Sequence, residues 1–149
     1  MVSLKLVCNP SHHYTILRYP ADADVTETLQ LMLHANKSKT NVLFSITKTF
    51  SEISIIINDF ILDSISPLCI EPDNRENGWI SFSIDTTEPI PFDLVGILLS
   101  IAKPLAESNI GIFALSTFNT DHVLIKESNL IKAKQALEVA GHSFVLTTD

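Results

Sequence analysis

Short runs of β-branched and aliphatic residues alternate along the chain with segments whose apolar positions recur at helical spacing. The runs predict strands through residues 14–18 and over 42–47, 53–57, 79–84, 110–116, 123–126 and 143–146. Between them, 26–35 predicts a weakly amphipathic helix capped by Asp24 or Thr26, and 63–69 a short one. From Asp93 onward, Leu94, Ile97, Leu98, Ile101 and Leu105 form one apolar stripe, with Pro104 in the last turn. A final helix opens with Ser128 as N-cap, turns Leu130, Ala133, Leu137 and Ala140 to one face, and stops at Gly141.

In the second half the order is strand, helix, strand, strand, helix, strand. That is the βαββαβ layout of ferredoxin-like domains, an antiparallel sheet with helices on one face. The first half repeats the order more loosely, so the expected class is α+β with two tandem domains, 1–71 and 78–149. The polar segment 71–78, with Pro72 and Asn77-Gly78, reads as the linker. Ser45-Ile-Thr-Lys-Thr-Phe-Ser-Glu-Ile-Ser-Ile-Ile and Ala114-Leu-Ser-Thr-Phe-Asn-Thr-Asp-His-Val-Leu-Ile repeat at an offset of about 69, which makes Glu52 and Asp121 equivalent.

Composition narrows the function. Of 149 residues 46% are hydrophobic, enough for a core, and 17 acidic residues against 10 basic give a formal charge of -7. No basic surface for nucleic acid is visible, and the apolar stretch 94–106 is broken by Lys103 and Pro104 before it could span a membrane. No signal-peptide core precedes Asn9-Pro10, and Cys8 and Cys69 lie far apart, as reduced thiols do. A cytoplasmic chain, open to the nucleus in a eukaryote, is expected. No metal is expected: adjacent His12 and His13 point to opposite faces of a strand, and His34 and His142 stand where a helix C-terminus favours a cation. No cofactor is expected either, because phosphate-cradling glycine loops are missing. Nor is catalysis, because no nucleophile stands in an elbow or beside a histidine at a known spacing.

Phe92-Asp-Leu-Val-Gly-Ile-Leu, Pro104-Leu-Ala-Glu-Ser-Asn-Ile, Ser116-Thr-Phe-Asn-Thr-Asp-His-Val-Leu-Ile and Ala136-Leu-x-x-Ala-Gly-His resemble the tandem ACT-domain proteins. These include short two-domain members and the cytosolic arginine sensors of the TOR pathway. The resemblance implies a non-catalytic sensor that binds a free amino acid, arginine or another polar one, where ACT domains meet. It further implies that Leu94, Val95, Gly96 and Ile97 wrap the ligand's backbone end and that Asp121 faces its side chain. Thr117, Phe118, Asn119 and Thr120 would supply the turn, and Gly111 and Ile112 the partner surface. The arginine sensors carry an acid where this chain has Leu94, so one contact to the ligand is missing.

The residues themselves allow this chemistry. Backbone N–H groups at a helix start attract a carboxylate, Gly96 leaves that backbone open, and Asp121 can pair with an ammonium or guanidinium. Gly96 also fits close packing of helix on sheet, and Asp121 also fits a solvated strand end. A homodimer is expected, with a regulatory protein partner reading the arrangement of domains. The alternative is an ACT-fold adaptor that has lost its ligand and acts through protein–protein contacts.

Overall fold

A computed structural model describes residues 3–85 and 96–148. The strands are β1 (Lys5–Pro20), β2 (Ser45–Lys48), β3 (Glu52–Asn58), β4 (Asn74–Ile84), β5 (Ile112–Ser116), β6 (Asp121–Lys126) and β7 (Ser143–Leu146). The helices are α1 (Thr26–Asn36), α2 (Asp59–Ile65), α3 (Ile97–Glu107) and α4 (Leu130–Val139). The chain divides into two compact units, residues 12–78 and residues 1–11 with 79–149. β1 and β4 each contribute to both.

In the 12–78 unit the strand order is β2-β3-β1-β4. Leu17 and Tyr19 of β1 stand in register with Ile55 and Ile53 of β3, and all four are buried beneath Val25, Met32, Ile61 and Leu62. Alternation along β3 turns Ile53, Ile55 and Ile57 to the helices, and each such side chain contributes about 1.5–3 kcal/mol on burial. α2 starts at Asp59, earlier than the periodicity predicts, because the Asn58 side chain accepts from the N–H groups of Phe60 (3.0 Å) and Ile61 (3.3 Å). Residues 66–68 form only a 3-10 turn.

In the other unit the order is β7-β1-β4-β6-β5, which leaves β5 at the edge. Leu6 and Cys8 of β1 join Ile80 and Phe82 of β4, Val123 and Ile125 of β6, and Phe144 of β7 under Ile97, Ile101, Leu105, Ala133 and Leu137. Burial pushes the Cys8 thiol up to about 11, so it stays protonated at neutral pH. The expected division at 71 and 78 places the first residues elsewhere. Lys5–Cys8 pair in parallel with Ser143–Leu146, whereas the β1–β3, β2–β3, β4–β6 and β5–β6 pairs are antiparallel. Residues 74–78 of the expected linker are strand, closing the first unit beside β1, where the Asp73 N–H donates to the Arg18 carbonyl at 3.0 Å.

α3 carries its stripe on Ile97, Ile101 and Leu105 as the periodicity predicts; its expected start at Asp93 lies outside the described residues. α4 is not capped by Ser128, which lies in a 3-10 turn over Glu127–Asn129. It does end at Gly141, whose φ of 99° lets the His142 N–H reach the Leu137 carbonyl and the Gly141 N–H the Glu138 carbonyl, both at 3.0 Å.

Candidate functional site

The candidate residues come from the start of α3, the edge strand β5 and the β5–β6 hairpin. At the helix start, Gly96 is the N-cap, exposed, with φ 81°, a left-handed conformation that favours glycine. A Cβ built there meets nothing within 4 Å, so close packing against the sheet does not explain the residue. Among the described residues no side chain caps α3 and its first turn holds no acid. Its leading N–H groups therefore keep their attraction for an anion. Ile97 is buried in the core, so only its backbone can face a ligand; Leu94 and Val95 lie outside the described residues.

The hairpin is tightly tied. Ser116 and Asp121 are the closing register pair, and the Ser116 hydroxyl donates to Asp121 Oδ1 at 2.5 Å. Thr117 donates through both its N–H (2.8 Å) and its hydroxyl (3.0 Å) to the Thr120 carbonyl. Phe118 and Asn119 are exposed at the tip, while the buried Thr120 Oγ1 has no hydrogen-bond partner among the described residues. Asp121 alternates with Val123 and Ile125, so it stands at the open end of the face that the helices cover. Among the described residues no cation pairs with it. Ser116, which orients that carboxylate, was not among the expected site residues; its place opposite Asp121 depends on hairpin register.

Gly111 and Ile112 lie at the far end of β5. Ile112 pairs with Ile125 while Ser116 pairs with Asp121, a separation of four residues or about 13 Å along the strand. One chain therefore does not bring Gly111 and Ile112 to Asp121. A cavity of about 510 Å³ opens beside Gly96, but it is lined by Leu99, Ser100, Lys103, Pro104, Glu107 and Ala140, not by the hairpin.

His142 supports this end of α3. Its Nδ1 accepts the Leu4 N–H at 3.1 Å, and Nε2 lies 3.0 Å from the Ser100 carbonyl. A backbone N–H only donates and a carbonyl only accepts, so the ring carries its proton on Nε2. Residue 104 is proline and has no N–H to give to Ser100, four residues earlier, and His142 supplies the missing donor. His142 is buried, not the solvated cation at a helix end that its sequence position predicts.

Comparison with known proteins agrees with this architecture. Residues 74–139 match the ACT-domain family model. The crystal structure of protein Atu0741 from Agrobacterium tumefaciens is 30% identical, covering 100% of this chain and 97% of that one at a TM-score of 0.77. The chain belongs to the ACT-domain family. Over 51 residues it is 39% identical to the human cytosolic arginine sensor for mTORC1 subunit 1, a match that takes in 34% of this chain and 16% of the sensor. The regulatory subunit of aspartate kinase from Thermus thermophilus shares the fold at 11% identity and a TM-score of 0.64, covering 93% of this chain and 99% of that one. Among the described residues no helix is long and apolar enough to cross a membrane, and no cluster of three or more His, Cys, Asp or Glu could hold a metal.

Proposed function

We propose that the chain is a non-catalytic, cytoplasmic amino-acid-binding protein whose ligand lies between the 79–149 ACT domains of two copies. One observation carries this reading: the unit leaves two opposite electrostatic poles open. Among the described residues, the α3 start offers N–H groups without a capping side chain and Asp121 a carboxylate without a cation. A free amino acid carries a charge of each sign to meet them. The unpartnered Thr120 hydroxyl adds a third polar contact. Antiparallel pairing of two β5 edges about Ala114 would set Ile112 of one copy beside Ser116 of the other, bringing the partner's 111–112 segment to Asp121. A regulatory partner then reads the paired arrangement.

The test is a thermal-denaturation screen against the twenty amino acids. At a hundredfold over its Kd a true ligand stabilises by about 2.7 kcal/mol, which raises Tm by several degrees. One amino acid giving that rise names the ligand. A flat screen, with protein partners captured equally with and without amino acids, would replace the sensor by the adaptor.

A further inference from the structure

The outer face of α4 is not used by the site above. It carries Ile131 and Val139, 75% and 90% exposed, at its two ends. Lys132, Gln135 and Glu138 lie between them, and all five fall within about a third of the helix circumference. Read from either end, this face has the same chemistry: an apolar side chain, then a charge, then Gln135 in the middle, then the opposite charge, then an apolar side chain. A twofold axis through Gln135 sets Ile131 against Val139 of a second copy and Lys132 against Glu138 of that copy. A parallel arrangement would instead oppose like charges. The Lys134 ammonium, 3.0 Å from Glu138 within the helix, holds that carboxylate at the rim. A groove of about 380 Å³ between α3 and α4, lined by Pro104, Glu107, Lys132, Ala136 and Val139, leaves room for the incoming Ile131 side chain.

We infer that α4 pairs with α4 of a second copy, antiparallel and isologous, with Lys132–Glu138 contacts fixing the register. This surface is separate from the β5 edge, so the inference stands or falls apart from the ligand site.

Analytical ultracentrifugation of the full chain tests it. Lys132→Glu alone places two acids together, and Glu138→Lys alone two bases. Each variant is expected to weaken association at least roughly tenfold and to sediment at half the wild-type mass. Mixed in equal amounts, the two variants make both contacts correctly and should recover the wild-type mass. Gln135→Cys, on the axis, should cross-link two copies under mild oxidant while the wild type does not. Single variants that associate like wild type, a mixture that stays apart, or a wild type that is monomeric would each overturn the pairing. The amino-acid thermal shift, read on the same variants, stays unchanged if the ligand site is where we propose, whatever the α4 outcome.

Discussion

The two units carry the same pair of features, a helix start and an acid at a hairpin, and treat them differently. In the 12–78 unit, Asp24 Oδ1 accepts the Thr26 N–H at 3.2 Å, and Glu27 adds an acid to the first turn of α1. Hydrogen bonds from the Thr26 backbone and then its side chain hold the Asp24 carboxyl below its usual range. The hairpin acid of that unit, Glu52, lies 3.8 Å from the guanidinium of Arg18, which also pairs with Asp73. The helix start and the hairpin acid there each meet a partner within the unit. Among the described residues of the 79–149 unit, no side chain caps the α3 start and no cation pairs with Asp121. A shared succession of helix start and hairpin therefore does not give the two units the same charges. What separates the units is which charges the chain supplies for itself.

The sharpest way to break this contrast is to remove one acid at a time. Asp121→Asn should cost about 2–5 kcal/mol of ligand binding, roughly 30-fold or more in Kd, because it strands the ligand's cation at a desolvated contact. Glu52→Gln should leave the affinity unchanged, since Arg18 already neutralises that position. Calorimetric titration of both variants with the amino acid found in the screen decides it. The reverse result would move the site to the other unit.

The elements were legible where the pattern was local. α1 falls where the helical spacing puts it, the α3 stripe packs as its periodicity demands, and Gly141 ends α4 by its left-handed turn. Pairing across the chain was not legible. Period-two alternation marks β1 as a strand but says nothing of its parallel partner β7, well over a hundred residues away. The polar residues 74–78 carry turn-forming types, and their place beside β1 overrides that preference. The hairpins show a subtler limit. Thr49 donates to Glu52 across its turn as Thr117 does to Thr120, so the repeat is offset by one residue from the sequence alignment. Asp121 thus corresponds to the buried Ile53, and Glu52 to Thr120. The candidate acid was found through its motif, but its uniqueness to one unit emerges only from register. His142 was missed because its partners are 138 and 42 residues away. The one signal for it was Pro104, which leaves a carbonyl in need of a donor.

That clamp gives the second test, because the 12–78 unit has no proline-freed carbonyl of this kind among its described helices. His142→Leu strands the Leu4 N–H and the Ser100 carbonyl in a buried place, at about 1–3 kcal/mol of stability. Pro104→Ala returns an N–H to Ser100, so the same histidine substitution should cost measurably less in that background, a coupling of about 0.5–1 kcal/mol. Urea denaturation of the four proteins closes the cycle. Strict additivity would mean that His142 is held only for Leu4.

The smallest expected effect separates the units by pH. His122, half-buried on β6, stands where the other hairpin has Ser54, which does not titrate. Burial lowers the imidazole below its usual range, and the neighbouring Asp121 charge opposes this more weakly. The unfolded chain therefore takes up a proton near pH 6.5 that the fold resists. Stability from this group is whole above about pH 6.5, falls as pH drops through that value, and levels off once the folded imidazole also titrates. Between about pH 7.5 and 5.5 the wild type should lose more Tm than His122→Gln. Asp121→Asn, by removing the attraction that favours the charged ring, should steepen the loss. Equal slopes in wild type and His122→Gln would show that the ring is as readily protonated in the fold as in the open chain, and the two hairpins would then differ in their acids alone.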